Sequence, residues 1–208
     1  MLNNKSNETD NKMNETEKII PLSFLTLGLK YLRLVSNTLE ETKKQNNAHL
    51  IMSDNMIDEG IYAGLTKWSD FNIIEPVLFN FYHGLELIMK GLLYLCDGSI
   101  KATHGLSDQF LEISSKKELA PSLKSILKNH LDIDCMDEMV STFLKNNRLT
   151  IDQLYEVFRY PIDRMFEGFR NYTNLKYRED NSMEYFSRVI TDIDDLSRQV
   201  VKFYRERE

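Results

Sequence analysis

Cysteine, proline, glycine and tryptophan are all scarce in this chain of 208 residues: two, four, eight and one respectively. The two cysteines, Cys96 and Cys135, stand far apart and lack metal-ligand spacing, which excludes a disulfide framework and a zinc cluster and points to a reduced, intracellular compartment. An excess of positive charge is also missing. Lys and Arg number 26 against 32 Asp and Glu, a formal charge of −6 and a pI near 5.4, so only a local basic patch, and not overall basicity, can argue for nucleic acid. The N-terminus has neither the basic start nor the compact apolar core of a secretory signal, and no apolar run is read as reaching the ~18 residues expected of a membrane span. These absences lead to the expectation of a cytoplasmic protein without membrane, metal or cofactor.

What is present is helical periodicity. Residues 1 to 16 are polar, rich in Asn, Glu, Asp and Lys, and read as a disordered tail because they bury too little apolar surface to offset their ordering entropy. Behind Pro21 a helix is expected from Leu22, with Leu25, Leu29, Leu32 and Leu39 on one face. A shorter amphipathic segment from Asp54 to Trp68 carries Met56, Ile61 and Leu65 but contains Gly60 and Gly64. Asn72 and Pro76 mark the expected start of a long apolar helix that stops at Asp97-Gly98. Short helices follow from Thr103, through Leu106, Phe110, Leu111 and Ile113, and from Pro121, then from Asp137 to Lys145 and from Thr150 to Phe158, where Pro161 ends the last. Between Met165 and Asp180 there is no clean period, and a loop or hairpin is expected. The final helix, Ser182 to about Arg205, sets Phe186, Val189, Ile193, Leu196, Val200 and Phe203 in one stripe and leaves Arg188, Asp192, Asp195 and Lys202 on the wet side. The fold class is all-α: an up-and-down bundle of about four main helices with short accessory ones, one domain over residues 17 to 208.

The long central helix is the richest segment. Phe81, Leu85, Ile88, Leu92 and Leu95 recur at steps of three and four, and His83, Glu86 and Lys90 recur at the same steps on another face. In its ordinary reading Glu86 and Lys90 form a surface ion pair of roughly 0.3–0.5 kcal/mol. In its functional reading the pair, with His83 one turn earlier, lines a cleft for a phosphate or a partner peptide.

Three landmarks follow one another in order: Gly84-Leu-Glu-Leu-Ile-Met-Lys-Gly-Leu-Leu on this helix, Thr103-His-Gly-Leu at the start of the next, and Phe158-Arg-Tyr-Pro-Ile-Asp163. Their order and spacing resemble the HEPN superfamily of prokaryotic helical proteins, in which a Glu-x-x-x-Lys helix, a Thr-His-x-Leu turn and an Arg-Tyr-Pro segment recur. The resemblance runs from about Phe71 to Asp163. It implies a bundle that often forms a homodimer and often serves toxin–antitoxin, abortive-infection or other antiviral defence systems. Many members are metal-independent ribonucleases whose site is an Arg followed four to six residues later by a His on one helix, doubled across the dimer. Here that pair is missing. Arg33 alone precedes any histidine, the next being His49, and every other arginine, from Arg148 onward, lies beyond His130, the last histidine. Cleavage through the RNA 2′-hydroxyl needs a proton acceptor working near neutral pH and a fixed cation for the developing phosphorane, the roles of His and Arg. Gly105 also stands where the common form of the turn has Asp.

The expectation is therefore a non-classical HEPN-like binding or regulatory component. The alternatives are a divergent metal-independent ribonuclease using His83 or His104 with Lys90 or a distant arginine, and a helical adaptor with an exposed apolar patch for a partner protein. For binding, the candidates are Glu86, Lys90, Arg159, Asp163, Arg170 and Tyr172. His104 either orients its turn or faces Lys90 or Arg159 as a titrating group. Arg159 and Asp163 bracket the Tyr-Pro bend and either tie it to neighbouring helices or serve the site. Phe166, Phe169, Tyr172 and Tyr177, interleaved with Arg164, Arg170, Lys176 and Arg178, either stack bases and hold phosphates of single-stranded RNA or are core aromatics with solvated charges between them.

Overall fold

The computed structural model describes residues 15–99, 105–160, 162, 170–176 and 179–207. Among them the chain is all helix and turn, with no strand. Three long helices form the frame: α1 (Glu15–Lys44), α3 (Asp70–Asp97) and α8 (Glu179–Arg205). Shorter pieces, α2 (Glu59–Thr66), α4 (Leu106–Ser115), α5 (Pro121–Leu131), α6 (Glu138–Asn146) and α7 (Leu154–Val157), complete the bundle.

The direction of the frame follows from its contacts. Pro21 and Leu25 lie against Gly91, Gly28 and Leu32 lie against Gly84, and Asn47 meets Asp70, so α1 and α3 are antiparallel. Ser182 meets Asp70 at one end and Arg207 donates to the Leu95 carbonyl at the other, so α8 runs parallel to α3. α5 returns antiparallel to α8, with Ser122 bonded to Gln199 and His130 to Asp192. Lys116, just beyond α4, clamps both Asp97 oxygens at 2.7 and 2.6 Å and anchors that end of the bundle beside the α3 terminus.

α1 and α3 approach closely because glycines line their seam. A Cβ on Gly84 would come within 2.8 Å of Leu32 Cδ2 and 3.3 Å of the Gly28 carbonyl oxygen. One on Gly91 would come within 2.6 Å of Leu25 Cδ2 and 3.2 Å of the Pro21 oxygen, and one on Gly28 within 3.0 Å of the Gly84 oxygen. The seam buries Leu25, Leu32, Val35 and Leu39 of α1 against α3. From Gly84 to Leu95 every residue of α3 is buried, as expected of a helix enclosed all round.

One junction ties the three frame helices together at the start of α3. Asn47, held at φ 50°, donates from Nδ2 to Asp70 Oδ2 at 2.9 Å and accepts the Asp70 backbone N–H on Oδ1 at 2.6 Å. Ser182 Oγ donates to the same Asp70 oxygen at 3.2 Å. Asp70 and Ser182 are both fully enclosed. Asn at a left-handed position costs little and keeps a side chain able to serve a helix N-terminus.

Several boundaries differ from the sequence expectation. α1 starts at Glu15, not Leu22, and Pro21 is its seventh residue; α3 starts at Asp70 behind Ser69, so Asn72 and Pro76 lie inside it. Proline removes one backbone hydrogen bond, and here packing on the long apolar faces holds both helices together through that loss. Asn72 spends its side-chain amide on the Thr66 carbonyl instead of capping. α2 begins only after Asp58, whose carboxylate caps it, and its Ile61 and Leu65, with Met56 before it, are exposed, not buried. The Thr150–Phe158 segment is a 3₁₀ turn, Ile151–Gln153, joined to the short α7, with a Thr150–Gln153 capping box. The expected tail falls largely on residues 1–14, and Thr103 and residues 163–169 also lie outside the described residues. The six-residue stripe of α8 is buried throughout, as its period requires.

α1 has a second face. Ile19, Leu22, Leu27 and Leu34, opposite the seam, are exposed. Over Lys18–Lys44 the helix is long and apolar enough, by length and composition alone, to cross a membrane, with 33% of its most apolar window buried in the fold.

In a helix interior Ala is favoured over Gly by about 1 kcal/mol. At Gly84 the added methyl meets Leu32 and the Gly28 backbone, so Gly84→Ala is expected to lower unfolding stability by about 1–3 kcal/mol. Gly64→Ala in α2, where nothing lies within 4 Å, is expected to raise it by up to about 1 kcal/mol. Urea unfolding of the two variants reads the opposite signs.

Candidate functional site

The trio on α3 is brought together, but inside the protein. Lys90 Nζ donates to Glu86 Oε1 at 2.7 Å, and His83 Nδ1 lies 3.4 Å from Glu86 Oε2. Glu86 is 4% exposed and Lys90 9%, so the pair is not the surface ion pair that the four-residue spacing suggests. α1, α4, α7 and α8 all pack against α3, and every residue of its Gly84–Leu95 stretch, Glu86 and Lys90 included, is buried. His83 sits nearer the edge, its side chain one-fifth exposed, with its ring edge-on to Tyr31 at 4.8 Å and stacked on Phe79 at 6.0 Å.

A buried ion pair stabilises only through good geometry and further hydrogen bonds, because both charges have lost their hydration. The short Lys90–Glu86 bond and the His83 contact meet that condition. Chemically, Lys90 and Glu86 are committed to each other. His83, half-buried beside a carboxylate, is the member of the trio with some access to solvent.

The other candidates separate from the trio in role. Tyr172 donates from its hydroxyl to the Val157 carbonyl at 2.7 Å and stacks on Phe143 at 5.6 Å, which stacks on Phe158 at 5.7 Å. This ring pins the 170–176 segment to α6 and α7, and burial pushes its phenol pKa up. Lys176 bonds Glu75 at 2.5 Å and sits over the Phe71 ring, joining the same segment to α3. Arg159 is exposed and lies over the Tyr160 ring at 5.3 Å. Arg170 is half-buried, and its Nε is enclosed without a hydrogen-bond partner. His104, Asp163, Arg164, Phe166, Phe169, Tyr177 and Arg178 lie outside the described residues.

Sequence reasoning passed over a second polar cluster, at the junction of α5, α6 and α8. His130, on the inner face of α5 and edge-on to Phe81 at 4.9 Å, donates from Nε2 to Asp192 Oδ2 at 2.8 Å; a carboxylate can only accept. Asp137 caps α6 through the Met139 N–H at 2.8 Å and accepts from Arg188 Nη2 at 2.5 Å. Tyr185 is buried beside them, its hydroxyl without a hydrogen-bond partner, an omission costing about 1–3 kcal/mol. Burial raises the Tyr185 and Tyr82 phenols well above the usual range, so both stay neutral. The available signal was His130 at helical spacing from Leu123, Ile126 and Leu127. The partner, Asp192, is 62 residues away, and nothing local announces it.

Among the described residues no group of three His, Cys, Asp or Glu side chains converges to hold a metal ion. Burial also raises the Cys96 thiol, which disfavours the reactive thiolate. Comparisons with family models, with curated proteins and with solved structures return no match.

Lys90→Met removes the cation and leaves the Glu86 carboxylate buried, which is expected to cost about 3–5 kcal/mol of stability. Chemical denaturation of the variant measures it; a loss below about 1 kcal/mol would place the pair at the surface.

Proposed function

We propose that this chain is a non-classical HEPN-like protein of a prokaryotic antiviral-defence or toxin–antitoxin system, acting in the cytoplasm as a binding or regulatory component and working as a homodimer. The observation that carries this reading is the commitment of Glu86 and Lys90 to each other inside the bundle, on a helix whose motif resembles that superfamily. A pair so used holds the fold and is withdrawn from chemistry on RNA. The missing Arg-to-His spacing points the same way.

The dimer reading draws support from the exposed α1 stripe of Ile19, Leu22, Leu27 and Leu34, which lies opposite the seam. A two-fold pairing of α1 with its copy covers it, as isologous interfaces do. The adaptor reading uses the same stripe for a different protein.

His83 keeps a ribonuclease reading alive, because an imidazole beside a carboxylate at a partly open edge has the form of an acid–base group. Total RNA incubated without divalent metal is expected to stay intact. Cleavage that disappears in His83→Ala would replace the binding role with an enzymatic one.

Light scattering after size-exclusion chromatography at high micromolar concentration is expected to give twice the 24.5 kDa chain mass. The double substitution Leu27→Glu, Leu34→Glu is expected to return it to a single chain. A wild-type monomer would overturn the dimer.

A further inference from the structure

α2 and the residues before it present a second apolar surface, apart from the α1 stripe. Leu50, Met52, Met56, Ile61 and Leu65 are all exposed, Met52 and Met56 almost completely, at 90% and 103%. α2 is held from its other side. Tyr62 donates to the His49 carbonyl at 3.3 Å, and Thr66 is buried with its carbonyl accepting from Asn72 at 2.9 Å. These bonds set α2 at the end of the bundle where α1 stops and α3 begins. Gly60 and Gly64 share the outer side with Ile61 and Leu65, and no atom of the described residues lies within 4 Å of a Cβ placed on Gly64. The two exposed apolar faces carry opposite charge. From Lys18 to Leu39, α1 has no Asp or Glu in a chain that has 32, and its outer face adds exposed Lys30 and Arg33 to Ile19, Leu22, Leu27 and Leu34. From Leu50 to Thr66 there is no Lys or Arg, and Asp54, Asp58 and Glu59 are exposed. Among the described residues Lys30, Arg33, Asp54 and Glu59 make no ion pair.

We infer that the surface from Leu50 to Leu65 is the docking site for α1 of a second copy of this chain. The inference rests on the dimer proposed above and names the further half of its interface. Exposed apolar patches rimmed by polar groups mark interaction surfaces, and complementary charge selects what covers them. An apolar face bearing only carboxylates calls for an apolar face bearing only cations, and the outer face of α1 between Ile19 and Leu34 is one. The unbranched Met52 and Met56 side chains adapt to the leucines they meet. Gly60 and Gly64 let a helix come close, as Gly84 and Gly91 do at the seam within the chain. Geometry supplies the reciprocity. Antiparallel pairing of two α1 helices carries the outer face of each toward the C-terminal end of its partner, where α2 lies. One two-fold axis then makes both α1–α2 contacts at once and closes the assembly at two chains.

Charge reversal in the full chain, read as dimer dissociation by light scattering over a dilution series, tests the surface. Asp58 is left alone because its carboxylate caps α2. The pair Asp54→Lys, Glu59→Lys is expected to weaken the dimer about tenfold, and so is the pair Lys30→Glu, Arg33→Glu, because each sets like charges against each other. All four together are expected to restore dissociation to within about threefold of wild type, since the attraction is re-formed with its sign exchanged. Lys145→Glu, Arg148→Glu, the same change of charge at exposed positions of and beside α6, is expected to leave the dimer unchanged. The inference is overturned, with the dimer intact, if Asp54→Lys, Glu59→Lys dissociates as wild type does, if the fourfold variant stays as weak as the pairs, or if the control pair weakens the dimer equally. A mass that climbs past two chains with concentration overturns the two-fold closure. A monomeric wild type removes the dimer and this surface with it.

Discussion

The close approach of α1 and α3 across Gly28, Gly84 and Gly91 is the constraint on which the rest of this structure depends. Three positions without a Cβ let two helices of about thirty residues lie backbone against side chain, and the Leu and Ile side chains on either side of the seam fill the remaining space. Because α1 covers α3 so completely on one side, α8, α4 and α7 can enclose it on the others. α3 becomes the axis of the bundle. The polar residues of its enclosed stretch, Glu86 and Lys90, pair with each other, with His83 beside them, at helical spacing, where neighbours are in reach without help from another helix.

The same constraint orders the ends of the frame. With α1 antiparallel to α3 and α8 parallel to it, one end brings Asn47, Asp70 and Ser182 into a single buried network, and the other brings Arg207 to the Leu95 carbonyl. The polar junction of α5, α6 and α8 is a further consequence: α5 returns along α8, which sets His130 against Asp192 and Asp137 against Arg188. The polar clusters outside the α3 trio arise where helices from distant parts of the chain cross.

Local pattern carried the helical class and the inner faces of α3 and α8, because a buried stripe repeats at the helical period whatever covers it. The stripe residues of α8 and the Phe81–Leu95 series are buried as their spacing demands. What the pattern did not reveal is burial of charge. A Glu and a Lys four apart look the same on a wet helix and on an enclosed one; only the packing of the helices around α3 distinguishes them. Proline position misled for a related reason: Pro21 and Pro76 lie seven residues into their helices, where tertiary packing outweighs the local preference for a first turn. The exposed Ile61 and Leu65 of α2 show the converse, apolar periodicity without a core to receive it. The His130–Asp192 contact, 62 residues apart, was beyond local pattern altogether.

Native-state hydrogen exchange tests most directly whether the α1–α3 seam is the constraint that holds the bundle. If α3 is its enclosed axis, the amides from about Leu85 to Leu95, with those of α1 that face them, exchange last and only through global unfolding, while α2 and α4 open earlier. Exchange of the Leu85–Leu95 amides at the rate of α4, under conditions where the protein remains folded, would contradict the account.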